Sequence, residues 1–343
     1  MNSLFKRVAS PIRLGSKDVR GLFVVVVLLA VLPLFLSGFG LTIATVALMF
    51  ALMGTGWNMM GGYAGQFSFG HAAYFGIGAY SVAVLLTKYL LSPWVGLLIG
   101  GLLAALFGLL TGFLSFRYKL RGPSFALATF AFAEMLRLLA SSSSFINKSI
   151  GIHIPLVGGD DWARIQFEDT RRNSYFVILF LLVLALATTV WMVRARVGHY
   201  MVAIRDDEDA AAALGVNPLR YKLIAVALSG FFTALAGGFY VQYFLFIDPD
   251  LAFGALVSIQ ILLRPIVGGV GTIWGPLVGA GVLSLLGEWT RALVRQPPAF
   301  LGFLQGVNGL DGMLFGAILI AVIIFAPDGV VGVVRRIRAR AHR

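Results

Sequence analysis

Long apolar runs recur throughout this chain, and that feature restricts its fold more than any other. They cover residues 21–38, 40–60, 66–87, 94–116, 123–140, 174–193, 222–246, 252–269, 273–290 and 310–327. About twenty predominantly apolar residues are enough for a helix to cross the hydrocarbon core of a bilayer. Hydrophobic residues make up 59% of the chain and charged residues only 12%. A soluble protein of this size would need more charged residues to cover its apolar core. We therefore predict an all-α, polytopic integral membrane protein with about ten transmembrane helices, with eight or nine as the alternative.

Three of these runs depart from a regular transmembrane pattern. The third and fifth contain few strong hydrophobes and several small or polar residues, and the eighth contains Arg264. The eighth run is therefore predicted to be a regular span, a half-helix or a broken helix. Two roles are open for Arg264: its guanidinium snorkels to the membrane surface, or it faces a gate or a water-filled cavity.

The Lys and Arg residues fall mainly between or outside the apolar runs. Four segments, 1–20, 117–121, 194–222 and 335–343, hold 18 of the 27 Lys and Arg residues. With ten spans all four lie on one side of the membrane, and the positive-inside rule makes that side the cytoplasm. We predict a basic cytoplasmic segment at 1–20, one transmembrane domain at 21–334 and a basic cytoplasmic tail at 335–343. The polar segment 141–173 is then a periplasmic loop.

The charge and the residue inventory limit the possible functions. A formal net charge of +12 first suggests nucleic acid, but the basic residues are distributed between spans instead of forming one face, so no nucleic-acid partner is expected. The chain has no cysteine and its four histidines are scattered. No disulfide, metal site or cofactor is therefore expected, and the absence of a clustered nucleophile disfavours a membrane-embedded enzyme.

The predicted cytoplasmic loop 194–222 has the pattern of a short charged helix. Asp206 is predicted to cap the N-terminus of this helix, with Asp209 three residues later completing a capping box. A run of alanines propagates the helix, and Gly215 followed by an Asn-Pro pair ends it. Two interpretations are open: a plain helical connector, or a surface on which a soluble motor subunit docks.

A second motif, GGYAGQFSFGH at 61–71, combines closely spaced glycines with polar side chains in an apolar region. Such glycines allow helices to approach closely in lipid, and they also permit unwound backbone next to a cavity. Gln66, Ser68 and His71 are hydrogen-bonding groups at membrane depth, so they either line a solute pathway or bond to neighbouring helices. A related glycine cluster at 268–281 is a weak indication of an internal repeat.

The fifth apolar run adds further polar groups. Ser124 and Thr129 are candidates for the same pathway. Glu134 and Arg137 stand three residues apart, so they face the same side of a helix and can pair. We favour a structural ion pair over a solute clamp, because pairing leaves neither charge unpaired against lipid.

The motifs resemble those of a known family. Besides GGYAGQFSFGHAAYFGIGAY they are GPSFALATFAFAEMLR at 122–137, AIRDDEDAAAALGVNPLRYKL at 203–223, IDPD at 247–250, GGVGTIWGP at 268–276 and FAPDGVVG at 325–332. Together they resemble the LivM-type permease subunits of branched-chain amino-acid ABC importers, which are close relatives of urea permeases. The resemblance implies a type II ABC-importer permease-like fold in the bacterial inner membrane. It also implies a LivH-type sister permease, two ATPase subunits and a periplasmic solute-binding protein as partners.

The resemblance further implies which residues carry the function. In such importers the ATPase docks on a cytoplasmic coupling helix, and the matching positions are Ala203, Arg205, Asp206, Asp207, Glu208, Ala211, Leu214 and Gly215. The family would have an apolar residue where this chain has Arg264. The predicted function is alternating-access import of branched-chain or other apolar amino acids, with ATP hydrolysis in a separate subunit. The alternatives are a urea or short-amide permease and a stand-alone secondary transporter.

Overall fold

The computed structural model describes residues 15–36, 38–167, 171–295, 309–326, 328–333 and 336, and the structural statements below concern these residues. The first fourteen residues of the predicted basic segment 1–20 lie outside the described part of the chain. The predicted tail 335–343 also lies outside it, apart from residue 336.

The described chain is almost entirely helical. Its helices are α1 (Ser16–Val31), α2 (Gly38–Asn58), α3 (His71–Tyr89), α4 (Pro93–Arg117), α5 (Pro123–Ser142), α6 (Arg171–Arg194), α7 (Arg196–Asp206), α8 (Glu208–Ala213), α9 (Pro218–Phe244), α10 (Pro249–Phe253), α11 (Ala255–Gly268), α12 (Gly275–Arg295) and α13 (Leu310–Phe325). A π-helical turn (Met59–Tyr63) follows α2 directly, and 3₁₀ turns lie at Leu32–Leu34, Ser144–Ile146 and Lys148–Ile150. Four two-residue strands complete the fold: β1 (Ile152–His153), β2 (Asp160–Asp161), β3 (Gln166–Phe167) and β4 (Phe246–Ile247).

Seven helical stretches in the described residues are long and apolar enough to cross a membrane. They are Gly38–Tyr63, Pro93–Arg117, Pro123–Ser142, Arg171–Arg194, Pro218–Phe244, Pro249–Gly268 and Gly275–Arg295. Three other predicted spans correspond to helices outside this group. Helices α1 and α13 are shorter, with 16 residues each, and α3 is long enough but less apolar. Most of α3 is enclosed by other helices, so it does not need an apolar surface. The polytopic all-α class is confirmed, and the count of ten spans is approximate.

One predicted span boundary needs correction, and the eighth span is a broken helix, one of the predicted alternatives. The third predicted span, 66–87, begins as a helix only at His71, because the preceding residues 64–70 are unwound. The eighth, 252–269, is broken at Gly254 between α10 and α11. At this break the carboxylate of Asp248 caps α10 by accepting a hydrogen bond from the Leu251 amide over 2.8 Å. This capping favours a separate short helix over continuation of one long span.

One side of α4 carries an exposed apolar stripe. Leu98, Leu102, Leu106 and Leu110 follow one another at intervals of four residues and are 57–63% exposed. Residues at this spacing share a helix face. A continuous leucine stripe of this kind suits contact with lipid rather than with water. The opposite side of α4 buries glycines against α3 and α9.

The centre of the molecule is α9, which packs against α3 and α4 and also contacts α2. The approach of α3 and α9 is so close that a Cβ at Gly78 would overlap the backbone of Ala234, and one at Gly237 would overlap the backbone of Phe75. Small residues therefore bring the two backbones into contact, as is usual for helices associating in lipid. For Gly78 this supports the packing interpretation of the glycine-rich motif.

The two ends of the bundle differ in structure. At one end Arg121, in the basic turn after α4, contacts the charged loop 194–222. At the other end the segment 141–167 folds over the helices, with β1 pairing antiparallel to β4. Trp94 there donates from Nε1 to the carbonyl of Trp162 over 2.8 Å, which fixes the segment to the start of α4. The two basic loops thus meet at one end of the molecule, as the charge pattern predicts.

Candidate functional site

The loop 194–222 forms two helices rather than the single one predicted. Asp206 is the last residue of α7, so its predicted role as an N-cap is wrong. Asp207 is the cap: its backbone is extended, and its Oδ1 accepts hydrogen bonds from the amides of Asp209 at 3.0 Å and Ala210 at 2.9 Å. Asp209 does not complete a capping box with Asp206, because its carboxylate is bound by Arg121.

The end of α8 follows the prediction from sequence. Gly215 has a φ of +85°, a left-handed conformation that favours glycine. The Val216 amide then bonds the Ala211 carbonyl over 3.1 Å, which closes the helix. Asn217 starts α9 by accepting from the Arg220 amide over 3.2 Å, with Pro218 as the first helical residue.

Buried and half-buried charges fix α8 to the bundle. The Glu208 carboxylate accepts from Lys222 Nζ at 2.7 Å and lies 3.2 Å from Arg121 Nε. The Lys222 side chain is only 3% exposed, so this carboxylate is the counter-charge of an ammonium that is removed from water. Arg121 also donates to both oxygens of Asp209, at 3.0 and 3.1 Å. This contact lowers the pKa of Asp209 and raises that of Arg121, because each charge is stabilised by the other.

Arg205 reaches from α7 into the membrane domain. Its side chain is 6% exposed, and its Nη1 donates to the Gly62 carbonyl over 3.1 Å. Its Nε and Nη2 donate to Asp206 at 3.2 and 3.1 Å. Gly65, at a φ of +69°, lies against the Arg205 side chain so closely that a Cβ there would overlap it. Arg205 is therefore held against the start of the unwound segment that separates α2 from α3.

Asn58, the last residue of α2, bonds a second unwound segment, residues 269–274, which separates α11 from α12. Its Nδ2 donates to the Thr272 carbonyl over 2.9 Å, and its Oδ1 accepts from the Gly271 amide over 2.8 Å. The two glycine clusters singled out in the sequence are thus in contact, each at a break between helices. Arg205, Gly62, Asn58 and Gly271 are packed together and carry these hydrogen bonds, and we name this group with the two breaks the break junction.

The unwound segment 64–70 obtains its hydrogen bonds from neighbouring side chains. Trp57 Nε1 donates to the Ser68 carbonyl over 3.0 Å, and the Phe69 amide donates to Thr129 Oγ1 over 3.2 Å. Ser68 Oγ accepts from the Gly70 amide at 3.0 Å. Non-helical backbone at membrane depth is stable only when protein or water satisfies it in this way.

The predicted pathway residues are placed as follows. Gln66, Ser68, His71 and Thr129 are buried around the unwound segment, and the structure brings them together. His71 Nε2 lies 2.7 Å from Ser229 Oγ on α9, and Gln66 Nε2 donates to the Ala64 carbonyl over 3.0 Å. Ser124 is separate from this group, exposed at the start of α5. His71 and Thr129 contact other segments of the chain, whereas the side-chain bonds of Gln66 and Ser68 are local.

The predicted coupling residues divide between two sides of the loop. Arg205, Glu208 and Ala211 are turned toward the bundle. The exposed members are Ala203, Asp206, Asp207, Leu214 and Gly215. Leu214 is 86% exposed, an unusual position for a large apolar side chain at the polar end of a membrane protein. We name these five residues the exposed loop face.

At the opposite end of the bundle, Glu134 and Arg137 pair as predicted. Arg137 Nη2 lies 2.6 Å from Glu134, and Nη1 lies 2.7 Å from Asp250 at the start of α10. The pair therefore connects α5 to α10, which supports the structural interpretation. Among the described residues, no group of three or more acidic or histidine side chains is arranged to hold a metal ion.

Sequence reasoning missed Asn58 and the partners of Glu208. In the sequence, Arg121 and Lys222 are recognisable only as basic residues at the ends of apolar runs. For Asn58 a signal did exist, because it is an amide near the end of an apolar run and directly precedes the glycine-rich motif. Its partners could not be identified, since they lie more than 200 positions away.

Comparison with known proteins gives a consistent result. Residues 40–323 match the family described as "Branched-chain amino acid transport system / permease component". The chain is 29% identical to the high-affinity branched-chain amino acid transport system permease protein LivM of Escherichia coli (strain K12), an alignment that covers 94% of this chain and 77% of LivM. It is 28% identical to LivM of Salmonella typhimurium, over 88% and 72% of the two chains. It is also 22% identical to LivH of Salmonella typhimurium, over 84% and 92%. No solved structure matches the chain.

Proposed function

The chain belongs to the family of branched-chain amino acid transport system permease components, and on that premise we propose that it forms half of an alternating-access pathway driven by a separate ATPase. Its role is transport of a solute across the membrane, as the family and the apolar helices indicate. The proposed solutes are branched-chain or other apolar amino acids. In this proposal the chain performs no covalent chemistry.

The observation that carries the proposal is the position of Arg205. Its guanidinium connects the loop 194–222 to the Gly62 carbonyl, and Asn58 extends that connection to Gly271. A displacement of the loop would therefore act directly on both helix breaks. Broken helices line the substrate pathway in many transporters, so the connection supports a transmission route from the loop to the pathway.

The exposed loop face is the proposed docking site for the ATPase. It combines an apolar side chain, Leu214, with the carboxylates of Asp206 and Asp207 and with small residues that permit close approach. The inward members Arg205, Glu208 and Ala211 would then transmit the movement rather than contact the ATPase. This division assigns a separate role to each side of the loop.

The break junction is proposed to adjoin the solute pathway. Gln66, Ser68, His71 and Thr129 fix the unwound segment, and we propose that their bonds set where the pathway opens. Ser124, exposed next to the basic turn, is proposed to lie at the cytoplasmic mouth.

The proposed assembly contains a LivH-type sister permease, two ATPase subunits and a periplasmic solute-binding protein in the bacterial inner membrane. The similarity of the chain to both LivM and LivH supports a pair of related permeases. The ordered segment 141–167 is the proposed contact for the binding protein, at the end opposite the loop 194–222. Both termini of the chain are then cytoplasmic.

The proposal is tested by affinity purification of the tagged full chain from gently solubilised membranes, followed by mass spectrometry. The wild type should recover an ATPase and a sister permease. Leu214→Asp should lose the ATPase while it keeps the permease, because a charge replaces the apolar contact. Leu156→Asp, at an exposed leucine (63%) of the opposite end, is the control and should keep both. The proposal fails if the wild type recovers no ATPase, or if Leu214→Asp recovers as much as the control.

A further inference from the structure

A cavity of about 500 Å³ lies between α2, α11, α12 and α13, separate from the break junction. Aromatic side chains form much of its wall, among them Phe50, Phe244 and Phe315. Its polar wall includes Gln260 and Arg264 from α11 and Glu288 from α12. The cavity therefore combines a large apolar surface with a few localised charges, the usual composition of a small-molecule site.

Arg264 is the unusual member of this wall. It is 7% exposed, and its guanidinium lies 3.7 Å above the ring of Phe50. Its Nη1 donates to the carbonyl of Gln260, one turn earlier, whereas its Nε is buried and has no acceptor among the described residues. Within the described part of the chain no carboxylate pairs with it. A buried guanidinium without a counter-charge is costly, and in a membrane protein such a residue facing a cavity marks a candidate functional site.

The remaining charges of the cavity do not neutralise Arg264. Glu288 accepts a hydrogen bond from Arg291, one turn later on α12, and both of these residues line the cavity. Their charges compensate each other, so the described lining keeps an excess of one positive charge at Arg264. A guanidinium presents a planar set of donors that matches the two oxygens of a carboxylate.

We propose that this cavity binds a monocarboxylate with an apolar body, whose carboxylate is held by Arg264 and whose hydrocarbon part packs on the phenylalanines. A zwitterionic amino acid should bind more weakly, because the only carboxylate described in the lining, that of Glu288, is already engaged by Arg291 and is a poor partner for an ammonium group. The inference goes beyond the proposed function, since the site would exist whether or not an ATPase docks on the loop 194–222.

The test uses three probes that share one branched hydrocarbon skeleton: 4-methylpentanoate, leucine and 4-methylpentanamide. The full chain, with any subunits that copurify, is placed in lipid nanodiscs, and equilibrium binding of radiolabelled 4-methylpentanoate is measured. Leucine should compete weakly and the neutral amide should not compete. Arg264→Met should reduce the affinity for 4-methylpentanoate about tenfold or more, the usual result of losing a charge-assisted hydrogen bond.

Two controls keep the result interpretable. Arg295→Gln removes an exposed arginine of α12 that does not line the cavity, and binding should be unchanged. Arg264→Met replaces a buried charge by an apolar side chain of similar length, so it should remain folded, and its melting temperature verifies this. Absence of binding to the wild type, or equal binding to a folded Arg264→Met, overturns the proposal without affecting the ATPase hypothesis.

A lipid headgroup could supply an anion to the same guanidinium. Binding is therefore compared in nanodiscs of phosphatidylcholine alone and of phosphatidylcholine with phosphatidylglycerol. Equal binding in the two lipids is expected for a solute site. Loss of probe binding in phosphatidylglycerol, together with retention of that lipid by the wild type but not by Arg264→Met, would assign the cavity to a lipid and overturn the proposal.

Discussion

Arg205 donates a hydrogen bond from Nη1 to the carbonyl of Gly62 over 3.1 Å and thereby connects residues 143 positions apart. The donor belongs to α7, at the basic end of the bundle, and the acceptor belongs to the π-helical turn that follows α2. One side chain thus links the loop 194–222 to the first helix break. Asn58, at the end of α2, in turn bonds Gly271, so the connection reaches the second break, which precedes α12.

Arg205→Ala should separate ATP hydrolysis from transport. Without the guanidinium the loop can move while Gly62 stays in place, so transport by the reconstituted complex should fall about tenfold while ATPase activity persists. Arg220→Ala removes an exposed arginine of the same loop and should have little effect. Normal transport in Arg205→Ala, measured as solute uptake into proteoliposomes, would show that this contact does not carry the coupling.

Glu208→Gln should destabilise the protein. The substitution leaves the Lys222 ammonium buried without a counter-charge, a change that typically costs about 3 kcal/mol. The double variant Glu208→Gln with Lys222→Met removes the buried charge as well and should recover much of the loss. The measurement is the thermal midpoint of the wild type, both single variants and the double variant in detergent. Additive effects of the two substitutions would mean that the pair is energetically independent.

Asn58→Ala should loosen the contact between the two helix breaks. It leaves the Gly271 amide and the Thr272 carbonyl without their partner, and each orphaned buried group costs about 1–3 kcal/mol. Hydrogen exchange of the peptide that contains residues 269–274 should accelerate. Asn173→Ala removes a hydrogen bond at the opposite, exposed end and should leave that peptide unchanged. Unchanged exchange in Asn58→Ala would contradict the proposed link.

Gly237→Ala should impair folding or assembly of the bundle. The new Cβ would overlap the Phe75 backbone, and relief requires α3 and α9 to separate at a cost of about 1–3 kcal/mol or more. Gly281→Ala, on α12, meets no atom within 4 Å and is the matched control. The yield and the thermal midpoint of the purified full chain distinguish the two variants. Equal behaviour would mean that the close packing of α3 and α9 is not required.

The contact of Arg121 with Asp209 should be insensitive to pH over the neutral range. Arg121 lowers the pKa of Asp209 in the folded protein. The contact therefore contributes its full stabilisation at any pH above the pKa of an unfolded aspartate. This stabilisation is lost as the pH falls through the pKa of Asp209 in the folded protein. The difference in thermal midpoint between the wild type and Asp209→Asn should therefore be small and constant near neutrality and should disappear in acid. A difference that instead grows on acidification would contradict this sign.

The sequence alone determined the features that depend on local chemistry. Apolar runs long enough to cross a bilayer identify the membrane spans, because the hydrophobic effect acts on each segment separately. Gly215 and the Asn-Pro pair end α8 and begin α9 as predicted, because glycine tolerates a positive φ and proline fits the first turn of a helix. The distribution of basic residues likewise predicted that the turn after α4 and the loop 194–222 share one end.

Which polar groups meet depends on how the helices pack. The capping-box pattern favoured Asp206 as the cap, whereas the structure uses Asp207 because α7 extends through Asp206. The break before His71 forms because Trp57, Ser68 and Thr129 supply the hydrogen bonds that the unwound backbone needs. Thr129 lies on α5, 60 positions from Phe69, and hydropathy, which averages over neighbouring residues, contains no information about such a contact.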